Sequence, residues 1–123
     1  MAKILIIDDK EQLLKIMKTY LEHDNHEITV ASDGMQGISQ LKAHPFDLVI
    51  TDIIMPEKDG FEVLIWLKTQ INRPKVLVMT GGSSSLDINY LIPMAKQFSA
   101  DKVMQKPFDF ETLKTTVREL LAT

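Results

Sequence analysis

Asp47-Leu48-Val49-Ile50-Thr51-Asp52-Ile53-Ile54-Met55-Pro56 decides how the rest of the chain is read. Leu48 to Ile50 is a short run apolar on both faces, the signature of a strand inside a covered parallel sheet, and it stops at a hydroxyl and a carboxylate, Thr51-Asp52. The same device recurs outward from it. Ile4 to Ile7 ends in Asp8-Asp9, Val76 to Met79 in Thr80, and the weaker run Val103-Met104 in Gln105-Lys106-Pro107. A fifth run, Ile28 to Ala31, completes the set without a polar terminus of this kind.

Helical spacing fills the intervals. Leu13, Leu14, Met17 and Leu21 mark a first helix, and Ile38 with Leu41 a second. A third starts at Asp59, with Glu62 three residues on as a capping box, and carries Phe61, Leu64, Leu67 and Ile71. The last starts at Asp109, with Phe108 placed to staple against Leu113, and continues through Val117, Leu120 and Leu121. Gly81-Gly82-Ser83-Ser84-Ser85 reads as a loop, and Pro93 confines a further helix to a short one beginning near Asn89. Strict alternation of strand and helix predicts an α/β domain, a doubly wound five-stranded parallel sheet of flavodoxin-like order 2-1-3-4-5 with helices on both faces. At 123 residues, a single domain spanning 1–123 is expected.

Composition narrows the function. The formal net charge is −3 with scattered basic residues, so no patch is expected to bind nucleic acid or a membrane surface. The absence of cysteine removes disulfides, thiolate nucleophiles and cysteine-ligated metal sites. No segment reads as a signal peptide or membrane span, and cytoplasmic residence is expected.

In a parallel sheet the C-terminal ends of all strands meet along one edge, where such folds bind ligands. Asp8, Asp9, Asp52, Thr80 and Lys106 are therefore predicted to share one pocket. Two unit charges about 4 Å apart at an effective dielectric of 20 repel by roughly 4 kcal/mol, so protons, Lys106 or a metal must compensate three carboxylates there. Oxygen-only ligands suit Mg2+, which keeps several waters and takes one or two carboxylates together with a phosphate. His23 and His26 flank a helix-to-strand turn and His44 closes another helix, so no histidine base stands at this edge. An ionised aspartate needs none: Asp52 can attack phosphorus directly, with the ammonium of Lys106 and the hydroxyl of Thr80 supporting the transferring group. Taken singly the residues have plainer uses. Asp9, with Gln12 three residues later, can cap the first helix, Asp52 can serve a turn, and Lys106 can be a solvated lysine; it is their joint occurrence that argues for a site.

Ile4-Leu5-Ile6-Ile7-Asp8-Asp9, Asp47 to Pro56 with Asp59-Gly60, Val78-Met79-Thr80-Gly81 and Lys106-Pro107-Phe108, in that order, resemble a response-regulator receiver domain over essentially the whole chain. The resemblance implies that Asp52 is the phosphoacceptor and that Asp9, Asp52 and the Ile54 backbone carbonyl ligate Mg2+, with Asp8 acting mainly through water. It implies contacts from Thr80 and Lys106 to the phosphoryl group and a cis Lys106-Pro107 bond. The phosphodonor would be a histidine kinase or histidine phosphotransfer protein, the output a conformational change read by a downstream protein, and the only chemistry the domain's own modification. The chain departs from the family at Val103, where receivers usually carry an aromatic residue. Hence the alternative of a pseudo-receiver that acts as a phosphorylation-independent interaction module. A Mg2+-dependent phosphohydrolase would normally need an acid–base carboxylate two residues beyond its nucleophile, where this chain has Ile54.

Overall fold

A computed structural model describes residues 2–52, 60–80 and 100–123. In chain order the elements are β1 (Lys3–Ile7), α1 (Glu11–Glu22), β2 (Glu27–Ala31), α2 (Gly34–Ala43), β3 (Leu48–Asp52), α3 (Gly60–Lys68), β4 (Lys75–Thr80), β5 (Lys102–Gln105) and α4 (Phe110–Leu121). The five strands form one sheet of order β2-β1-β3-β4-β5, every neighbouring pair parallel. The doubly wound architecture predicted from the alternation is the one found.

Successive side chains of a strand point to opposite faces, and the sheet sorts them accordingly. Ile4, Ile6, Leu48, Ile50, Leu77 and Met79 pack on one face with Leu14, Met17 and Leu21 of α1 and Leu113 and Val117 of α4. Leu5, Ile7, Val49, Val76 and Val78 pack on the other with Val63, Leu64 and Leu67 of α3, while Ile38 and Leu41 of α2 are only partly buried against them. Each Val, Leu or Ile so enclosed contributes about 1.5–3 kcal/mol relative to exposure. The close approach of α2 to β1 depends on Gly37, where an added Cβ would stand 2.3 Å from Ile7 Cδ1.

Two expectations are corrected, and one plainer use of a site residue is not the one found. The edge strands are not apolar on both faces: β2 leaves Val30 39% exposed, because a sheet edge has a neighbour on one side only. Ile71 does not continue the apolar stripe of α3. The helix stops at Lys68, Thr69 and Gln70 donate their backbone N–H groups to Trp66 and Leu67 carbonyls three residues back, and Ile71 is 97% exposed. Asp9 does not cap α1, whose N-cap is Lys10 with no side-chain hydrogen bond. By contrast, Asp109 caps α4 as predicted, its carboxylate accepting from the Thr112 N–H at 2.7 Å, and Phe108 packs against the core that contains Leu113. Asp59, the segment 81–85, Asn89 and Pro93, on which other expectations fall, lie outside the described residues, as does Ile54.

Candidate functional site

Strand register assembles the site. β1 and β3 pair with Ile7 opposite Thr51, so Asp8 and Asp52 emerge side by side at the C-terminal edge. Thr80 ends β4 opposite Gln105 of β5, which brings the following residue, Lys106, to the same edge. The Lys106 N–H donates to the Thr80 carbonyl at 2.7 Å, and the Lys106–Pro107 bond is cis.

Carboxylate oxygens of Asp8, Asp9 and Asp52 lie within 4.8 Å of one another. Asp8 is fully buried and Asp52 is 6% exposed, with Asp9 more open to solvent. Burial of this kind is costly for a carboxylate unless it is paired, and Lys106 supplies the pairing. Its Nζ donates to Asp8 Oδ2 and to Asp52 Oδ2, both at 2.9 Å. Burial works against the ammonium, but the hydrogen bonds to Asp8 and Asp52 and the charges of both outweigh it, and the lysine is held protonated above its ordinary range. Asp8 is fixed from a second side by the Lys10 N–H, which donates to its Oδ1 at 2.9 Å, while the Asp8 N–H donates to the Ala31 carbonyl. One ammonium against three carboxylates leaves the cluster with an excess of negative charge.

Thr80 is 1% exposed and, among the described residues, its Oγ1 has no hydrogen-bond partner. A buried hydroxyl left unsatisfied costs about 1–3 kcal/mol, and such a group at a cluster of charges is a donor held ready for an acceptor. The neighbouring Thr51 hydroxyl is different, since it is spent on the Asp52 carbonyl at 2.9 Å. Oxygen ligands on two strands, a net negative charge and an orphaned donor fit a hard divalent cation together with an anionic group.

Of the five side chains predicted from sequence, those of Asp8, Asp9, Asp52 and Lys106 are thus brought together, and Thr80 ends its strand at the same edge. Lys106 is one of the compensating charges expected for these carboxylates; the register of β1 against β3 makes Asp8 and Asp52 equidistant from its ammonium. A surface cleft of about 700 Å3 lies at the opposite pole between Ala2, Asp24, His26 and Arg118, away from this chemistry.

A parallel sheet of this order, with acidic groups, a lysine and a hydroxyl at its C-terminal edge, is a doubly wound α/β domain with its polar groups where such folds bind ligands. Residues 4–118 match the response regulator receiver domain family, and the chain belongs to it. The response regulator ArlR of Staphylococcus aureus is 29% identical over 121 residues, covering 98% of this chain and 53% of the relative. The chain therefore spans about half the length of the curated relatives it matches. Among solved structures, the Thermotoga maritima response regulator TrrA in complex with Mg2+-BeF is 29% identical with a TM-score of 0.83, covering 98% of this chain and 99% of that one. The signal receiver domain of a signal transduction histidine kinase from Syntrophus aciditrophicus is 27% identical with a TM-score of 0.88, covering 99% of this chain and 91% of that one. Among the described residues, no helix is long and apolar enough to cross a membrane.

Proposed function

We propose that the chain, as one receiver domain over residues 1–123, takes a phosphoryl group onto Asp52 from a histidine kinase or histidine phosphotransfer protein and signals to a protein partner by a change of its surface. One observation carries this reading: three carboxylates lie within 4.8 Å of one another, two of them, Asp8 and Asp52, share a lysine at 2.9 Å, and the strand end at the same edge carries a buried hydroxyl with no partner among the described residues. In the transfer, an Asp52 carboxylate oxygen forms the new bond to phosphorus as the donor's P–N bond breaks, and the departing imidazole nitrogen retains the electron pair and takes up a proton. Lys106 already stands at Asp52 and offsets charge on the incoming phosphoryl oxygens. Thr80 donates its hydroxyl to one of them, satisfying a donor that is otherwise unpaired.

Asp9 and Asp52, with the Ile54 carbonyl from the family pattern and Asp8 through water, would hold Mg2+. When bound, that ion neutralises the excess carboxylate charge and that of the phosphoryl oxygens.

Incubation with Mg2+ and acetyl phosphate followed by intact-mass measurement tests the assignment. A single added phosphoryl in the wild type and none in Asp52→Ala is expected. Failure of the wild type to gain mass, or an unchanged adduct in Asp52→Ala, overturns it. The rival reading, a phosphorylation-independent interaction module, rests on Val103, and it requires the same partner affinity with and without the phosphodonor.

A further inference from the structure

The pole of the sheet opposite the carboxylates contains a part-buried titratable group, His26. Helix α1 ends in a Schellman turn: the His26 N–H returns to the Leu21 carbonyl, the Asn25 N–H to the Glu22 carbonyl, and Asn25 takes the left-handed φ of 66° that this turn requires. The turn fixes the His26 backbone and aims its ring at the start of β1. There the Ala2 N–H donates to His26 Nδ1 at 3.3 Å, while the Ala2 carbonyl accepts from the Glu27 N–H at 2.9 Å. A backbone N–H only donates, so Nδ1 is the acceptor and the neutral ring carries its proton on Nε2.

The His26 side chain is 10% exposed and, among the described residues, its Nε2 has no hydrogen-bond partner. Asp24 Oδ2 lies 3.7 Å from it, but that carboxylate is engaged by Arg118 of α4, through Nε at 2.9 Å and Nη2 at 2.6 Å. A second proton would have to enter at Nδ1, where it would point at the Ala2 N–H, donor against donor. We infer that His26 is an acid-sensitive tie, which holds the first residues of β1 to the α1–β2 turn while neutral and releases them when protonated.

The charges around the ring act in both directions. Burial disfavours the imidazolium most, Asp24 in the turn favours it, and the chain's amino terminus and Arg118 oppose it; the net effect is a pKa below the ordinary histidine value. Asp47 and Lys75, from the β3 and β4 sides, line the same cleft. A base with its folded pKa lowered binds fewer protons folded than unfolded, so stability is fully present above the unfolded value of about 6.5 and is lost as pH falls below it. Each unit of depression removes about tenfold from the folding equilibrium constant at acid pH.

Proton and nitrogen NMR of the 123-residue chain from pH 8 to pH 5 tests the tie. The His26 ring is expected to titrate below about 6.5, with the Ala2 and Glu27 amide shifts moving at the same midpoint. A ring midpoint at or above that value, or amides that stay still while the ring titrates, overturns the inference. Urea unfolding of wild type and His26→Asn gives a second readout in which His23 and His44 cancel. The wild-type midpoint must fall more between pH 7.5 and pH 5.5 than that of the variant, and equal falls also overturn the inference.

Discussion

Thr80 illustrates, at the scale of a single residue, how a site stores a cost for later use. Its hydroxyl is buried without a partner among the described residues, and folding therefore loses a hydrogen bond to water that none of them replaces. Thr80→Val keeps the shape and removes the orphan. It is expected to raise stability in urea by about 1 kcal/mol while slowing phosphoryl uptake from acetyl phosphate, a separation that denaturation and intact-mass time courses measure directly. A stability loss, or an unchanged rate, would count against the role given to this hydroxyl. Lys106 is the converse case: its charge is already in use, held by Asp8 and Asp52 together.

Secondary-structure elements carry their own vulnerabilities. Helix α2 lies so close to β1 that a Cβ at position 37 would enter the space of Ile7 Cδ1. Gly37→Ala is therefore expected to destabilise the chain by about 1–3 kcal/mol despite its better helix propensity, read as a lower urea midpoint with an unchanged slope. Because Ile7 immediately precedes Asp8, the same variant is expected to weaken the acidic pocket. Helix α4 depends on its cap in a simpler way, and Asp109→Ala should cost about 1 kcal/mol by loss of the bond to the Thr112 N–H. Elements also marked where sequence periodicity misleads. Ile71 falls in step with Leu64 and Leu67, yet α3 has ended three residues earlier, because a repeat of apolar residues says nothing of where backbone hydrogen bonding stops.

For the molecule as a whole, the crowded edge predicts coupling between cation and fold. If Mg2+ binds the folded pocket alone, a concentration ten times the dissociation constant stabilises the chain by about 1.4 kcal/mol. Thermal unfolding with Mg2+ and with EDTA should show that gain, and Asp52→Ala should lose most of it; a gain of equal size in the variant would place the ion elsewhere. At the reverse pole Asp24 is held below the usual carboxylate range chiefly by its hydrogen bonds to Arg118.

The chain's own residues determined the class of fold and the sheet edge at which the candidate residues gather, because strand runs apolar on both faces announce a covered parallel sheet and their polar last residues must then share one edge. Asp8, Asp9, Asp52, Thr80 and Lys106 were all legible in this way. Only the tertiary structure decided that Lys106 bridges Asp8 as well as Asp52, that Asp9 leaves the α1 cap unfilled, that Val30 stands exposed, and that His26 meets Ala2. The physical reason is common to all four. Each depends on which groups from distant parts of the chain come within about 3–4 Å, or on which side of an element lacks a neighbour, and strand register and helix packing set such proximities while local composition carries no trace of them.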